Sequence, residues 1–194
     1  MIDAVGLLAA RVAVGLSYAS HGTQKAFGWF GGPGPAGAAG FMESLGFKPG
    51  APYAAAASYG EIAGGLLIAL GAGGPIGPAL VVSGMTVAAE TVHKKNGFYA
   101  GKGGIELNVL YASAAVAFAS SGYGALSVDR ALGIEPKTRH PIATTLALAA
   151  GILSAYAVLA KRDFTPPDGT LATPTVKGGE QNGSASTQAA QAGG

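Results

Sequence analysis

Glu61, Glu90 and Glu106 are the residues of this chain best placed to do chemistry, because each stands inside or at the mouth of a long apolar stretch. In lipid an ionisable side chain costs roughly 2.5–3.5 kcal/mol to insert, so it marks a partner or a function. Glu90-Thr91-Val92-His93 is a Glu-x-x-His pair at i, i+3, the unit from which carboxylate-bridged di-metal bundles build their sites. Such bundles carry two of these motifs and this chain has one, so no metal site is expected. Glu90 with His93 is the pair on which one would be built, and Glu61 and Glu106 are the carboxylates that would complete it. The plainer reading ends a helix at the interface, with Glu90, His93 and Lys94 snorkelling to water. His21, followed by Gly22 and Lys25, is open between a ligand-facing histidine, a proton relay and a cation at a helix C-terminus. Counting along the helices, Arg11 lies about eight residues into the first apolar stretch and Glu61 about ten from the same side in the second, near mid-depth at ~1.5 Å per residue. That spacing predicts an Arg11–Glu61 ion pair.

The elements that position these groups are apolar runs at 2–20, 52–71, 75–92, 104–121 and 142–160, each close to the ~20 residues a helix needs to cross a hydrocarbon core. The expected fold is all-α: an integral membrane helix bundle over 1–162, four helices plus a fifth, followed by a disordered polar tail over 163–194. Thirty-three glycines fit that class, because helices in lipid associate through small residues that allow close approach. Gly60-x3-Gly64 is one such motif, and Gly15/Ala19 a looser one. A short helix is expected at 36–45, after the breaker-rich, aromatic loop around Trp29 and Phe30. Gly71-Ala72-Gly73-Gly74 reads as a tight loop between helices.

If the chain starts on side A, the loops 22–51 and 93–103 and the tail fall on side B. Side B carries Lys25, Lys48, Lys94, Lys95, Lys102, Lys161 and Arg162, against Arg130, Lys137 and Arg139 on side A. The excess of positive charge makes B cytoplasmic and puts the N-terminus outside. The alternating path brings His21, Glu61, Glu90, His93 and Glu106 toward the side-B half as one polar pocket, lined by Ser17, His21 and Gln24, by the stripe Ser83, Thr86, Glu90 and His93, and by Glu106, Ser113, Ala117 and Ser120. Tyr99 stands in the loop beside it. Tyr18, Tyr59, Tyr99 and Tyr111 suit either a quinone or an interfacial belt, and His140 opens the fifth helix on side A.

Cysteine is absent, which removes thiolate ligands, Fe–S ligation and covalent haem attachment from the chain itself. Net charge is +2 at pH 7 and no basic patch interleaves with aromatics, so nucleic acid is not an expected partner. Asp3 and the lack of a basic stretch before the first run argue against a cleaved signal peptide.

Arg11-x3-Gly15-x5-His21-Gly22-x-Gln24-Lys25-x-Phe27-Gly28 resembles the first-helix signature of the DoxX family of small bacterial and archaeal membrane proteins. Glu61-Ile62-Ala63-Gly64-Gly65 and the following residues to Gly71 are similar to its second-helix segment, and Asn96-Gly97-Phe98 with Gly104-x-Glu106-Leu107 to a later junction. The resemblance, over Val5 to Gly133, implies a four-helix bundle in a bacterial cell membrane, and some members are associated with quinone-linked sulfur or oxidative-stress complexes. The resulting expectation is a multi-pass membrane subunit of a redox complex, in contact with lipid and with soluble protein partners on the cytoplasmic side, with homo-oligomers also expected. A quinone would meet His21, Glu90, His93, Tyr99 and Glu106, of which His21, Glu90 and Glu106 are the candidates for proton handling. The rival readings are a non-enzymatic anchor or assembly factor and a small-solute or proton conduit.

Overall fold

The structure, a computed structural model, describes residues 2–134 and 141–165. His140 and all but the first residues of the expected tail lie outside the described residues.

Seven α-helices, and no strand, occur among the described residues: α1 Ile2–Phe27, α2 Gly34–Ser44, α3 Gly50–Leu70, α4 Ile76–Ala88, α5 Glu106–Ser121, the short α6 Val128–Ala131, and α7 Pro141–Leu159. The chain is an all-α membrane helix bundle. Three helices, Asp3–Phe27, Gly50–Leu70 and Pro141–Leu159, are long and apolar enough to cross a membrane among the described residues. The other two expected spans are shorter. α4 reaches about 27 Å only by continuing through a wide, π-helical turn, Ala89–His93, and α5 covers about 24 Å.

α1 runs past the expected end at residue 20, because nothing in Ser20–Phe27 breaks it before Gly28, whose φ of 72° turns the chain. Gly28–Pro33 then separates α1 from α2, the short helix expected from sequence. α2 packs on the first half of α3, where Gly50 fits against the Ala39 carbonyl and donates its N–H to Glu43 Oε1 at 3.0 Å.

α1 and α3 are antiparallel and form the most extensive contact in the molecule. Their register is set by small residues: a β-carbon on Gly15 would lie 2.4 Å from Gly65 O, one on Gly65 2.3 Å from Gly15 O, and one on Gly22 2.4 Å from Ser58 O. Gly15/Ala19 is thus a packing motif, and it continues to Gly22. Gly60 is not, since nothing lies within 4 Å of where its side chain would be, whereas Gly64 meets Leu80 on α4. α4 sits between α3, α5 and α7, and Gly151 of α7 backs onto the Ala79 carbonyl. Tyr18, Ile68, Val81, Val82, Ala115, Phe118 and Tyr123 make the buried core. Leu16, Leu66, Leu110, Leu146 and Leu153 point outward, as side chains facing lipid tails do.

Candidate functional site: a lysine–glutamate pair beside an apolar recess

The α1–α3 register decides which cation Glu61 receives. Gly15 faces Gly65 and Ala69, and Gly22 faces Ser58 and Ile62, so Arg11 falls beside Gly71 at the side-A end of α3. Lys25, near the end of α1, lies within one long side chain of Glu61. Lys25 Nζ donates to both carboxylate oxygens of Glu61, whose side chain is 11% exposed, against 26% for Lys25. The expected Arg11–Glu61 pair is therefore wrong. Counting depth from the ends of the apolar runs assumed that both helices begin at one level, but the first turns of α1 extend beyond the end of α3.

Lys25 of the pair lines a shallow recess between α1, α2 and α3, together with Pro35, Ala51, Ala54, Ser58 and Tyr59. Its floor is methyl groups. The Ser58 hydroxyl is satisfied by Ala54 O at 2.6 Å. Two bonds to the carboxylate use two of the three ammonium N–H donors, which leaves Lys25 one more.

The other expected members of the pocket do not line this recess. His21 is exposed and stands edge-on to Tyr111, with ring centroids 6.3 Å apart. Glu90 pairs with Lys94 one turn on, at 3.0 Å. Glu106 Oε2 accepts the Ala100 N–H at 2.8 Å, and His93 Nδ1 is 2.7 Å from Gly103 O, so both fasten the loop between α4 and α5. Asn96 Nδ2 donates to Val92 O and Gly103 O, while Gly97 and Gly103 take positive φ. The Asn-Gly-Phe and Gly-x-Glu strings thus build a rigid loop. Tyr99 lies on it, 67% exposed.

Nor do the polar stripes line one cavity. Ser83 Oγ meets Ser154 of α7 at 2.9 Å, Thr86 donates back to Val82 O, and Ser113, Ala117 and Ser120 face outward. Among the described residues no group of three or more His, Asp and Glu side chains stands close enough to hold a metal ion. Glu90 and His93 gain no further ligand.

On side A the structure holds a polar knot that sequence reading overlooked. Arg11, fully buried, donates Nη2 to Leu126 O and lies against Gly71, whose φ of 68° and missing β-carbon admit it. Asp129, 1% exposed, accepts Gly73 N–H at 2.9 Å and Gly74 N–H at 2.7 Å, and Tyr123 Oη donates to Gly74 O at 2.6 Å. Burial above all, and then the Asp129 carboxylate, push the Tyr123 phenol up from its ordinary range, with Arg11 acting the other way. The signal was present in the Gly71–Gly74 turn, which leaves N–H groups that a buried acid must satisfy. Asp129, in a polar connection far along the chain, gave no hint that it was the acid.

A search of the curated proteins returned no match, and neither did one of the solved structures. A family model described as DoxX matches residues 6–94, which run from α1 to the end of the wide turn and contain both Lys25 and Glu61. Glu106 and the loop it fastens lie beyond the matched stretch. Over that stretch, a little under half of its length, the chain is similar to the DoxX family, and the matched residues lie in an all-helical membrane bundle.

Proposed function

We propose that this chain is the membrane-embedded subunit of a redox complex, anchoring soluble partners on side B and binding a quinone head group in the recess beside Lys25 and Glu61. The observation that carries the reading is the partly buried Lys25–Glu61 pair, whose lysine lines a recess rich in alanine. A quinone ring needs an apolar slot and a donor for its carbonyl oxygen. The alanines of α3 supply the first and the remaining Lys25 N–H the second, while Glu61 holds the ammonium in place. The carboxylate also stands ready to exchange a proton with the lysine when the quinone is reduced. With no cysteine, the chain takes its electrons from a partner or a diffusible carrier.

Glu90, His93 and Glu106 lie outside this recess and bond to Lys94, to Gly103 O and to the Ala100 N–H. That observation favours the second reading, an anchor or assembly factor whose polar residues only hold the bundle together. Solvent extraction of the purified protein followed by mass spectrometry separates the two. Quinone in near-stoichiometric amount supports the redox subunit, and its absence from protein purified out of quinone-replete membranes supports the anchor. A proton leak in proteoliposomes, abolished by Glu61→Gln, would instead support a conduit.

A further inference from the structure

The loop between α4 and α5 carries Lys94, Lys95 and Lys102 and no acidic residue from His93 to Ile105. Lys94 is partly neutralised by Glu90. Lys95 and Lys102 are exposed, and their ammonium groups have no hydrogen bond or ion pair among the described residues. Between them Phe98 and Tyr99 project outward, 51% and 67% exposed, with their rings 5.5 Å apart.

This is not a loose loop. His93 and Asn96 hold Gly103 O, Glu106 holds Ala100 N–H, and backbone bonds run from Gly104 N–H to Tyr99 O and from Glu106 N–H to Phe98 O at 2.8 Å. The lysines are thus mounted on a fixed frame between α4 and α5, two helices of the bundle. In a bundle set across a membrane, such an end loop stands at head-group level.

We propose that this loop is a binding site for anionic phospholipid head groups, with Lys95 and Lys102 taking the phosphate and Phe98 and Tyr99 seated at the acyl boundary. Charge complementarity selects the occupant: a basic frame at the membrane surface attracts an anionic lipid, and each such cation contributes to the attraction. Aromatic side chains between the cations fit a site with one wet and one apolar side, which a lipid provides and an acidic soluble peptide does not.

The full-length protein in neutral detergent, titrated with phosphatidylglycerol or phosphatidylcholine and read by native mass spectrometry, tests this. Phosphatidylglycerol should bind preferentially, and K95Q/K102Q should weaken it roughly thirtyfold, while K95R/K102R restores it. Neither lysine side chain has a hydrogen bond or ion pair among the described residues, so circular dichroism of all three proteins should agree. Equal binding of the two lipids, or preference retained by K95Q/K102Q, overturns the assignment. So does a variant whose lipid binding is normal but whose capture of a soluble partner is lost, since that result assigns the surface to a protein. The outcome is independent of the Lys25–Glu61 recess, which lies on other helices.

Discussion

Lys25 and Glu61 differ from the surface pair Glu90–Lys94 in what happens when one partner is removed. An exposed i, i+4 pair contributes about 0.3–0.5 kcal/mol, whereas removing Lys25 leaves the largely buried Glu61 carboxylate without its partner and costs more, up to about 3 kcal/mol where solvent is excluded. Thermal unfolding in detergent should therefore show Lys25→Met as strongly destabilising, and Lys25→Met/Glu61→Gln as milder than that single change. An additive double variant would mean that the two side chains do not depend on each other. At the other end of the bundle, Tyr123→Phe removes the bond to Gly74 O and should cost about 1 kcal/mol. Because the folded phenol titrates higher than the unfolded one, its contribution is complete below about pH 10 and is lost as the pH rises from there toward the raised folded value. The gap between wild type and Tyr123→Phe should accordingly narrow in strong alkali. A constant gap would show that the hydroxyl's proton is not what matters.

At the scale of elements, the α1–α3 seam determines the site, since its register alone brings Lys25 rather than Arg11 to Glu61. Gly65→Ala places a β-carbon against the Gly15 carbonyl, so the helices must separate, at a cost of about 1–3 kcal/mol. Gly60→Ala meets open space and should leave the melting temperature unchanged or slightly higher. Equal losses at both positions would contradict the observed packing. This contrast also marks how far the sequence could be read. The apolar runs, the all-helical class and the short α2 were legible, because hydrophobic length and breakers such as Gly28 and Pro33 act locally. Gly60-x3-Gly64 looked the better motif on paper, yet only the direction each glycine faces decides packing, and that depends on a neighbour hundreds of atoms away along the chain. Arg11 and Glu61 misled for the same reason: depth within one helix says nothing about the offset between two. Glu106 and His93 stand out in the sequence as candidates for a quinone site, but the loop backbone they bond to has no one-dimensional signature. Asp129 went unseen because its partners are the amides of a distant glycine turn.

For the molecule as a whole, α1 begins at one end of the bundle and carries Lys25 and the recess at the other. Reporters fused to the two chain ends should give an outer N-terminus and a cytoplasmic C-terminus if side B faces the cytoplasm; the reverse result would move the proposed partners to the outer face and leave the recess intact. Whatever the orientation, the proposed quinone site is the recess beside Lys25, whose ammonium would hold a quinone carbonyl. Titration of a short-chain quinone into the purified full-length protein, stripped of lipid and compared with Lys25→Met/Glu61→Gln, decides whether it does, because the double variant removes the donor without leaving a bare charge in the bundle. Saturable binding that the double variant loses while keeping its helical content is the predicted result. Binding of equal strength in both proteins, or none in the wild type, would contradict it.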